Sequence, residues 1–139
     1  MSPSTAEKSL RWLLLLIGAT ACLAFVAIFL PTDWMESAND AIGLGAFPRA
    51  PLTEYLTRSL STLYGLLGLL MVYLGLNVRR CLDLIVKAGA MTIVLGVLLT
   101  GIGFRAGMPA PWVWSEGPPT VLMGVALVWL ARRVDPSGG

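Results

Sequence analysis

A pair of opposite charges, Glu54 and Arg58, stands at the start of a long apolar run in the sequence EYLTRSLSTLYGLLGLL. Side chains four residues apart lie on the same face of a helix, where a carboxylate and a guanidinium can pair. An arginine inside a membrane bundle is costly unless it is paired, with estimates that start at about 2.5 kcal/mol at the bilayer centre. A second carboxylate, Glu116, follows the segment MPAPWVWS. We therefore expect Arg58 to pair with Glu54 or with Glu116.

Hydroxyl and aromatic groups complete this candidate site. Ser61 and Tyr64 follow Arg58 along the same predicted helix, and two tryptophans, Trp112 and Trp114, precede the second carboxylate. One hypothesis is a structural clamp that holds the outer loops onto the bundle. The other is a pocket in which the planar guanidinium holds an anionic or carbonyl group of a lipid, a quinone or another amphiphile. The candidate ligand- or partner-binding residues are Arg58, Glu54, Glu116, Ser61, Tyr64, Trp112 and Trp114.

Catalytic chemistry has few groups to work with in this sequence. The chain has no histidine, which excludes imidazole metal ligands and Ser-His arrangements within it. Cys22 and Cys81 do not form a CxxC motif, and the glycines have helix-packing spacing instead of that of a phosphate loop. A carboxylate beside Arg58 and Tyr64 is the nearest acid-base candidate. We expect no catalytic residue, no metal and no cofactor.

The composition is that of a membrane protein. Hydrophobic residues make up 56% of the 139-residue chain and charged residues 13%, against about 25% charged residues in an average soluble domain. Four apolar runs, over residues 12–30, 56–76, 84–104 and 118–131, predict an all-α bundle of four transmembrane helices in a single domain over 1–139. The first run is longer than the apolar core of a signal peptide, so a retained helix is expected. The fourth run is short for a span.

The basic residues indicate an orientation for such a bundle. If four spans alternate, most basic residues lie on one side, namely Lys8, Arg11, Arg79, Arg80, Lys87, Arg132 and Arg133. Arg49, Arg58 and Arg105 remain on the other side. This is the positive-inside pattern, and it predicts that both termini are cytoplasmic. No basic cluster is large enough to indicate a nucleic-acid partner.

The two outer connections have patterns of their own. Asp33, with a glutamate three residues later, is typical of a helix start and predicts a short helix in the membrane interface, anchored by Trp34. An ordinary loop turn is the alternative. In the second connection, Ser115 is a candidate cap for the fourth helix, with Pro118 or Pro119 in the first turn of that helix.

Small residues form stripes along the second and third predicted helices. In a membrane, small residues on one helix face mark the place where another helix comes close. Because a short turn joins the two helices, we expect the stripes to pack face to face as an antiparallel hairpin. The predicted packing residues are Gly65, Gly68, Gly75, Gly89, Gly96 and Gly103.

The segments EYLTRSLSTLYGLLGLLMVYLG and RAGMPAPWVWSEGPP resemble small bacterial inner-membrane proteins of the DoxX-like kind, over residues 30–131. Such proteins have four helices, an arginine near the outer start of the second helix and a glycine-studded hairpin. The resemblance implies an accessory protein of the bacterial inner (cytoplasmic) membrane. Family members have been linked to sulfur and thiol redox complexes, a role for which this chain lacks paired cysteines.

The expected function is that of a non-catalytic integral inner-membrane protein with a polar cluster at its outer face. It would act as a partner subunit or as a module that binds an amphiphile, either a lipid or a quinone. The expected partners are the lipid bilayer and a membrane protein or a second copy of the chain. Two alternatives stay open: a small transporter or channel formed by oligomerisation, and a membrane enzyme that acts on a lipid or quinone.

Overall fold

The computed structural model describes residues 3–41, 43 and 49–134, and helices joined by turns make up this part of the chain, without a strand. The elements in chain order are α1 (Pro3–Cys22), α2 (Ala24–Phe29), α3 (Thr32–Ala41), α4 (Pro51–Leu76), a 3₁₀ turn (Arg79–Cys81), α5 (Leu82–Arg105) and α6 (Ala110–Ala131). The all-α fold class predicted from the sequence is confirmed for the described residues.

Three helical segments among the described residues are long and apolar enough to cross a membrane: Ser4–Phe29, Pro51–Leu76 and Arg79–Arg105. Many of their large apolar side chains are exposed, as lipid-facing side chains are. Helices also satisfy all interior backbone hydrogen bonds within the segment, which a bilayer requires. The chain therefore has the helices of a membrane protein.

The first of these segments ends at a proline. Pro31 cannot continue α2, and Leu30 before it is extended, with φ −68° and ψ 136°. The carbonyl groups at the end of a helix have no intrahelical donor and need another partner. The last carbonyl groups of α2 therefore need a hydrogen-bond donor from another part of the chain.

The chain divides into two compact units, Met1–Leu14 with Leu74–Gly139, and Leu15–Tyr73. The first unit has a core of fully buried side chains from α1, α4, α5 and α6, which are Leu10, Leu14, Leu74, Ile85 and Leu127. An ion pair of 2.9 Å between Arg79 and Glu7 joins the 3₁₀ turn to the N-terminal part of α1. The second unit contains the end of α1, all of α2 and α3, and α4 as far as Tyr73.

Within the first unit, the glycine stripe of α5 packs against α6. A Cβ atom built on Gly96 would lie 2.7 Å from the backbone nitrogen of Val121 and 2.8 Å from the carbonyl oxygen of Gly117. A Cβ atom on Gly89 would lie 3.0 Å from the carbonyl oxygen of Gly124. The two backbones thus approach so closely that only glycine fits.

The stripe continues to the far end of α5. There a Cβ atom on Gly103 would lie 2.9 Å from Cγ2 of Val113. The two helices are therefore in contact along most of their lengths.

Within the second unit, the glycine stripe of α4 packs against α1 and α2. A Cβ atom on Gly68 would lie 2.7 Å from the backbone nitrogen of Cys22, and one on Gly18 would lie 2.8 Å from the carbonyl oxygen of Gly68. A Cβ atom on Gly65 would lie 2.6 Å from the ring of Phe25. These helices also meet backbone to backbone.

The observed partners differ from the predicted face-to-face hairpin of the α4 and α5 stripes. Each stripe meets glycines on another helix of its own unit, Gly18 on α1, and Gly117 and Gly124 on α6. The prediction rested on the short turn between α4 and α5, whereas close approach requires only small residues on both surfaces, which α1 and α6 also have. Gly75 is buried in α4, in the part that belongs to the first unit.

The start of α6 also differs from the prediction. The helix begins at Ala110 with Pro109 as the N-cap residue, and Pro118 and Pro119 lie inside it. Ser115 is within the helix, where its hydroxyl donates to the carbonyl of Trp112 at 2.9 Å. Pro111 occupies the first turn, where a missing N–H costs little. The prediction that Pro118 or Pro119 lies in the first turn was wrong, because the helix already begins at Ala110.

The short helix predicted in the first connection is present as α3. Its Met35 is buried and its Trp34 is exposed. Gly43, after the end of α3, has a φ of +75°, a conformation that favours glycine.

Candidate functional site

The candidate site of the second unit is built where the start of α4 meets the end of α2. Arg58 lies on α4, two turns after its first residue, Pro51, and Glu54 lies in the first turn. Because Leu30 is extended and Pro31 cannot continue α2, the last carbonyl groups of α2 have no helical N–H donors. The arginine side chain reaches this helix end.

Arg58 satisfies both the carboxylate and the carbonyls. Its Nη2 lies 2.8 Å and its Nε 3.2 Å from Oε1 of Glu54. Its Nη1 donates to the carbonyl oxygen of Ile28, and its Nη2 donates to that of Leu30 at 3.4 Å. The guanidinium therefore closes the end of α2 and binds α4 to it.

The carboxylate of Glu54 has a second donor. The hydroxyl of Thr32, the first residue of α3, donates to Oε1 of Glu54 at 3.5 Å. Three helices thus meet at this ion pair. Of the two partners that the sequence left open for Arg58, the structure shows Glu54.

A second ion cluster lies between α3 and the segment before α4. The guanidinium of Arg49 donates to Oδ1 of Asp33 at 2.8 Å and to Oε2 of Glu36. The hydrogen bond that Arg49 donates to Glu36 and the negative charges of Glu36 and Asp33 raise the pKa of Arg49 above its usual value. The cluster is largely exposed, and it joins α3 to the segment before α4.

The predicted residues Trp112, Trp114 and Glu116 all lie on α6. The indole Nε1 of Trp112 donates to Oε2 of Glu116 at 3.0 Å, so this carboxylate has a partner within its own helix. The ring of Trp114 packs edge-on against the ring of Phe104 of α5, with centroids 6.2 Å apart. These contacts hold the start of α6 to the end of α5.

The two predicted hydroxyl residues follow Arg58 on α4. Ser61 is half-buried, and Tyr64 is 42% exposed.

Cys22, on α1, donates weakly from Sγ to the carbonyl oxygen of Gly65 at 3.8 Å. Cys22 and Cys81 are both free thiols. Among the described residues, no group of three or more metal-ligating side chains is close enough to hold a metal ion.

An apolar groove between α5 and α6 was not predicted from the sequence. Its volume is about 570 Å³, and it is lined by Val97, Thr100, Gly101, Phe104, Pro118, Val121 and Leu122. The hydroxyl of Thr100 donates to the carbonyl of Gly96 at 2.7 Å, so its hydrogen already has an acceptor within the helix. The groove therefore offers an apolar lining to whatever occupies it.

One residue carries the signal for this groove. A Cβ atom built on Gly101 would meet nothing within 4 Å, in contrast to the glycines of the packing stripe. Gly101 lies two residues from Gly103 and off the stripe, among large apolar residues. The absence of a side chain at Gly101 therefore leaves open space that is part of the groove.

Comparisons with models of protein families, with curated proteins and with solved structures find no match to this chain.

Proposed function

We propose that this chain is a non-catalytic protein of the bacterial inner membrane that crosses the membrane four times, with both termini in the cytoplasm. In this proposal it acts as an accessory subunit that binds a long-chain amphiphile, a lipid or a quinone, in the groove between α5 and α6. The observation that carries the proposal is the apolar groove itself.

The packing of α6 on α5 supports a fourth span. Contacts run from Gly103 with Val113 at one end, through Gly96 with Gly117, to Gly89 with Val128 at the other end. Since α5 is long and apolar enough to span a membrane, a helix beside it over this length lies at the same depths. Its 22 residues also give it the length of a span.

Contacts within the first unit support termini on one side. The pair of Glu7 with Arg79 brings the N-terminal part of α1 to the turn before α5. The contact of Gly89 with Val128 brings the early part of α5 to the late part of α6. The basic residues at these three ends then share one membrane side, as the positive-inside rule requires of the cytoplasmic side.

The size and chemistry of the groove support an amphiphile as ligand. Small-molecule sites range from about 300 to 1,000 Å³ and have mainly apolar linings, and this groove has about 570 Å³. Its lining residues lie within the apolar parts of α5 and α6, so an acyl or isoprenoid chain suits it better than a polar substrate. The contact of Phe104 with Trp114 fixes one wall of the groove.

The geometry of Arg58 favours the clamp over the binding pocket for that residue. Its nitrogen atoms already donate to Ile28, Leu30 and Glu54. A ligand that took these donors would leave carbonyl groups unsatisfied in an apolar environment, at a cost of several kcal/mol, about 2–7 by transfer data. For this reason we place the amphiphile in the α5–α6 groove.

Filling the groove tests the proposal. The variant Gly101→Phe places a ring in open space, since a Cβ atom there meets no neighbour. We expect wild-type protein, extracted gently and analysed by native mass spectrometry, to retain a lipid or quinone at one copy per chain. Gly101→Phe should lose that species without losing thermal stability.

Leu98→Phe is the matched control, because Leu98 is an exposed residue of α5 that does not line the groove. It should retain the amphiphile as wild type does. Equal retention by Gly101→Phe would refute the groove as the site. Retention of a stoichiometric protein instead, lost in the same variant, would make the groove a surface for a partner subunit.

A further inference from the structure

A second groove lies toward the C-terminal end of α6, where apolar and cationic residues meet. Its volume is about 340 Å³, and it is lined by Ile93, Val125, Val128, Trp129, Arg132 and Arg133. Three of these residues are aliphatic and two are arginines. In the sequence, Trp129 lies between Val128 and Arg132. The groove therefore has an apolar floor and a cationic rim.

The two guanidinium groups are available to an external anion. The Cζ atom of Arg133 lies 3.9 Å from the centroid of the Trp129 ring. Stacking of this kind uses the face of the guanidinium and leaves its N–H edge for a carboxylate or phosphate. Arg132 is exposed. Within residues 3–134 as far as they are described, neither arginine is in an ion pair.

The length of the groove along the helix suits the phosphate and the first part of an acyl chain of a phospholipid. Val125 lies on α6 and Arg132, seven positions later, is its C-cap residue, which corresponds to about 10 Å along a helix that rises roughly 1.5 Å per residue. A phosphate at the rim would therefore sit at the level of the arginines while the first part of an acyl chain lies against Ile93 and Val125. Trp129 has the amphipathic ring that is enriched at this level of a membrane.

We infer that this groove binds one anionic phospholipid, with its phosphate on Arg132 and Arg133 and an acyl chain on the aliphatic floor. Charge complementarity selects this occupant, because two cations on an apolar groove match an anionic headgroup with its chain and not a neutral one. The inference requires only that the end of α6 lies at a membrane surface. It holds for either orientation of the chain and does not depend on the larger groove.

A competition between two lipids tests this site. The full-length protein is placed in mixed micelles of detergent with equal amounts of phosphatidylglycerol and phosphatidylcholine, and the lipids that stay bound are counted by native mass spectrometry. We expect wild type to retain phosphatidylglycerol preferentially, at one copy. Arg132→Gln and Arg133→Gln should each lower this preference about fivefold, the factor expected for one basic residue near an anionic surface.

Two further variants separate a built site from general attraction between opposite charges. Arg80→Gln removes an equal charge from an exposed residue of the 3₁₀ turn that does not line the groove, and it should leave the preference unchanged. Val125→Phe keeps both arginines but fills the floor, and it should lower retention of phosphatidylglycerol. Thermal stability, measured on each variant, identifies any that have lost the fold.

Three results would overturn the inference. One is equal retention of both lipids by wild type. Another is an effect of Arg80→Gln as large as that of Arg132→Gln, because this would mean that charge alone attracts the lipid. The third is full retention by a folded Val125→Phe variant, because the acyl chain would then lie elsewhere.

Discussion

At the scale of the residue, the arginine at the start of α4 is explained by the end of α2. Arg58 is 32% exposed and Glu54 44% exposed, so solvent or headgroups screen much of their Coulomb attraction. The hydrogen bonds from the guanidinium to the carbonyl groups of Ile28 and Leu30 matter more for stability than this Coulomb attraction. Pro31 ends the helix that would otherwise supply N–H donors to these carbonyl groups. Arg58 is thus the side-chain cap of a helix that a proline has ended.

Replacing Arg58 should reveal this capping role. We expect Arg58→Ala to lower the free energy of unfolding by roughly 1–3 kcal/mol, because it removes charged hydrogen bonds and leaves acceptors unsatisfied. Arg58→Lys keeps one charge but not the planar fork, so its loss should be smaller. The measurement is thermal or denaturant unfolding in a single detergent.

Arg105→Ala is the control for that experiment. Arg105 is an exposed residue at the end of α5, and it forms no ion pair among the described residues. Its loss should change stability by no more than about 0.5 kcal/mol. If Arg58→Ala were as mild as Arg105→Ala, the capping role would be wrong.

At the scale of the element, the fold depends on close contacts between glycine-bearing helix faces. Gly96 faces the backbone of α6, whereas Gly101, five residues later, faces open space. Helix association in a membrane depends on packing and not on the expulsion of water. A methyl group added at Gly96 therefore has a different effect on stability from one added at Gly101.

This difference predicts opposite effects for the same substitution. Gly96→Ala should destabilise the protein by roughly 1–3 kcal/mol, since the added carbon would overlap backbone atoms that cannot turn aside. Gly101→Ala should be neutral or stabilising by up to about 1 kcal/mol, because alanine is the better helix former. Unfolding midpoints of the two variants check this. Equal midpoints would contradict the observed packing of α5 on α6.

Hydropathy and spacing located most of the helices and the faces on which they pack, but not their partners. The apolar runs of α1, α4 and α5 are continuous, so periodicity alone predicts them. The partner of each glycine stripe is set by small residues in α1 and α6, such as Gly18 and Gly117. These residues lie far from the stripes in sequence. The α5–α6 groove depends on the same tertiary choice and was missed for that reason.

The site around Arg58 was likewise predicted in its local pairing but not in its distant partners. The spacing of Glu54 and Arg58 predicts a pair on one helix face, and the structure shows it. The hydrogen bonds from Arg58 to Ile28 and Leu30 connect residues 28 to 30 positions apart. A single sequence contains no information that brings these carbonyls to α4, so the clamp stayed one of two hypotheses.

The whole molecule has three helices long and apolar enough to cross a membrane among its described residues, and two grooves lie along the α5–α6 pair, one toward each end. One groove is apolar throughout, and the other has arginines at its rim. The apolar groove faces lipid only if α6 crosses the bilayer beside α5, whereas the other groove requires only that the end of α6 lies at a membrane surface. The number of spans is therefore the claim on which the proposed function depends.

Reporter fusions to the intact chain test this claim most directly. In a bacterial host, green fluorescent protein is fused to the N-terminus, and either green fluorescent protein or alkaline phosphatase is fused to the C-terminus. Four spans with cytoplasmic termini predict fluorescence from both ends and an inactive phosphatase. A fluorescent N-terminus together with an active C-terminal phosphatase would mean an odd number of spans, and would contradict both the fourth span and the amphiphile-binding groove.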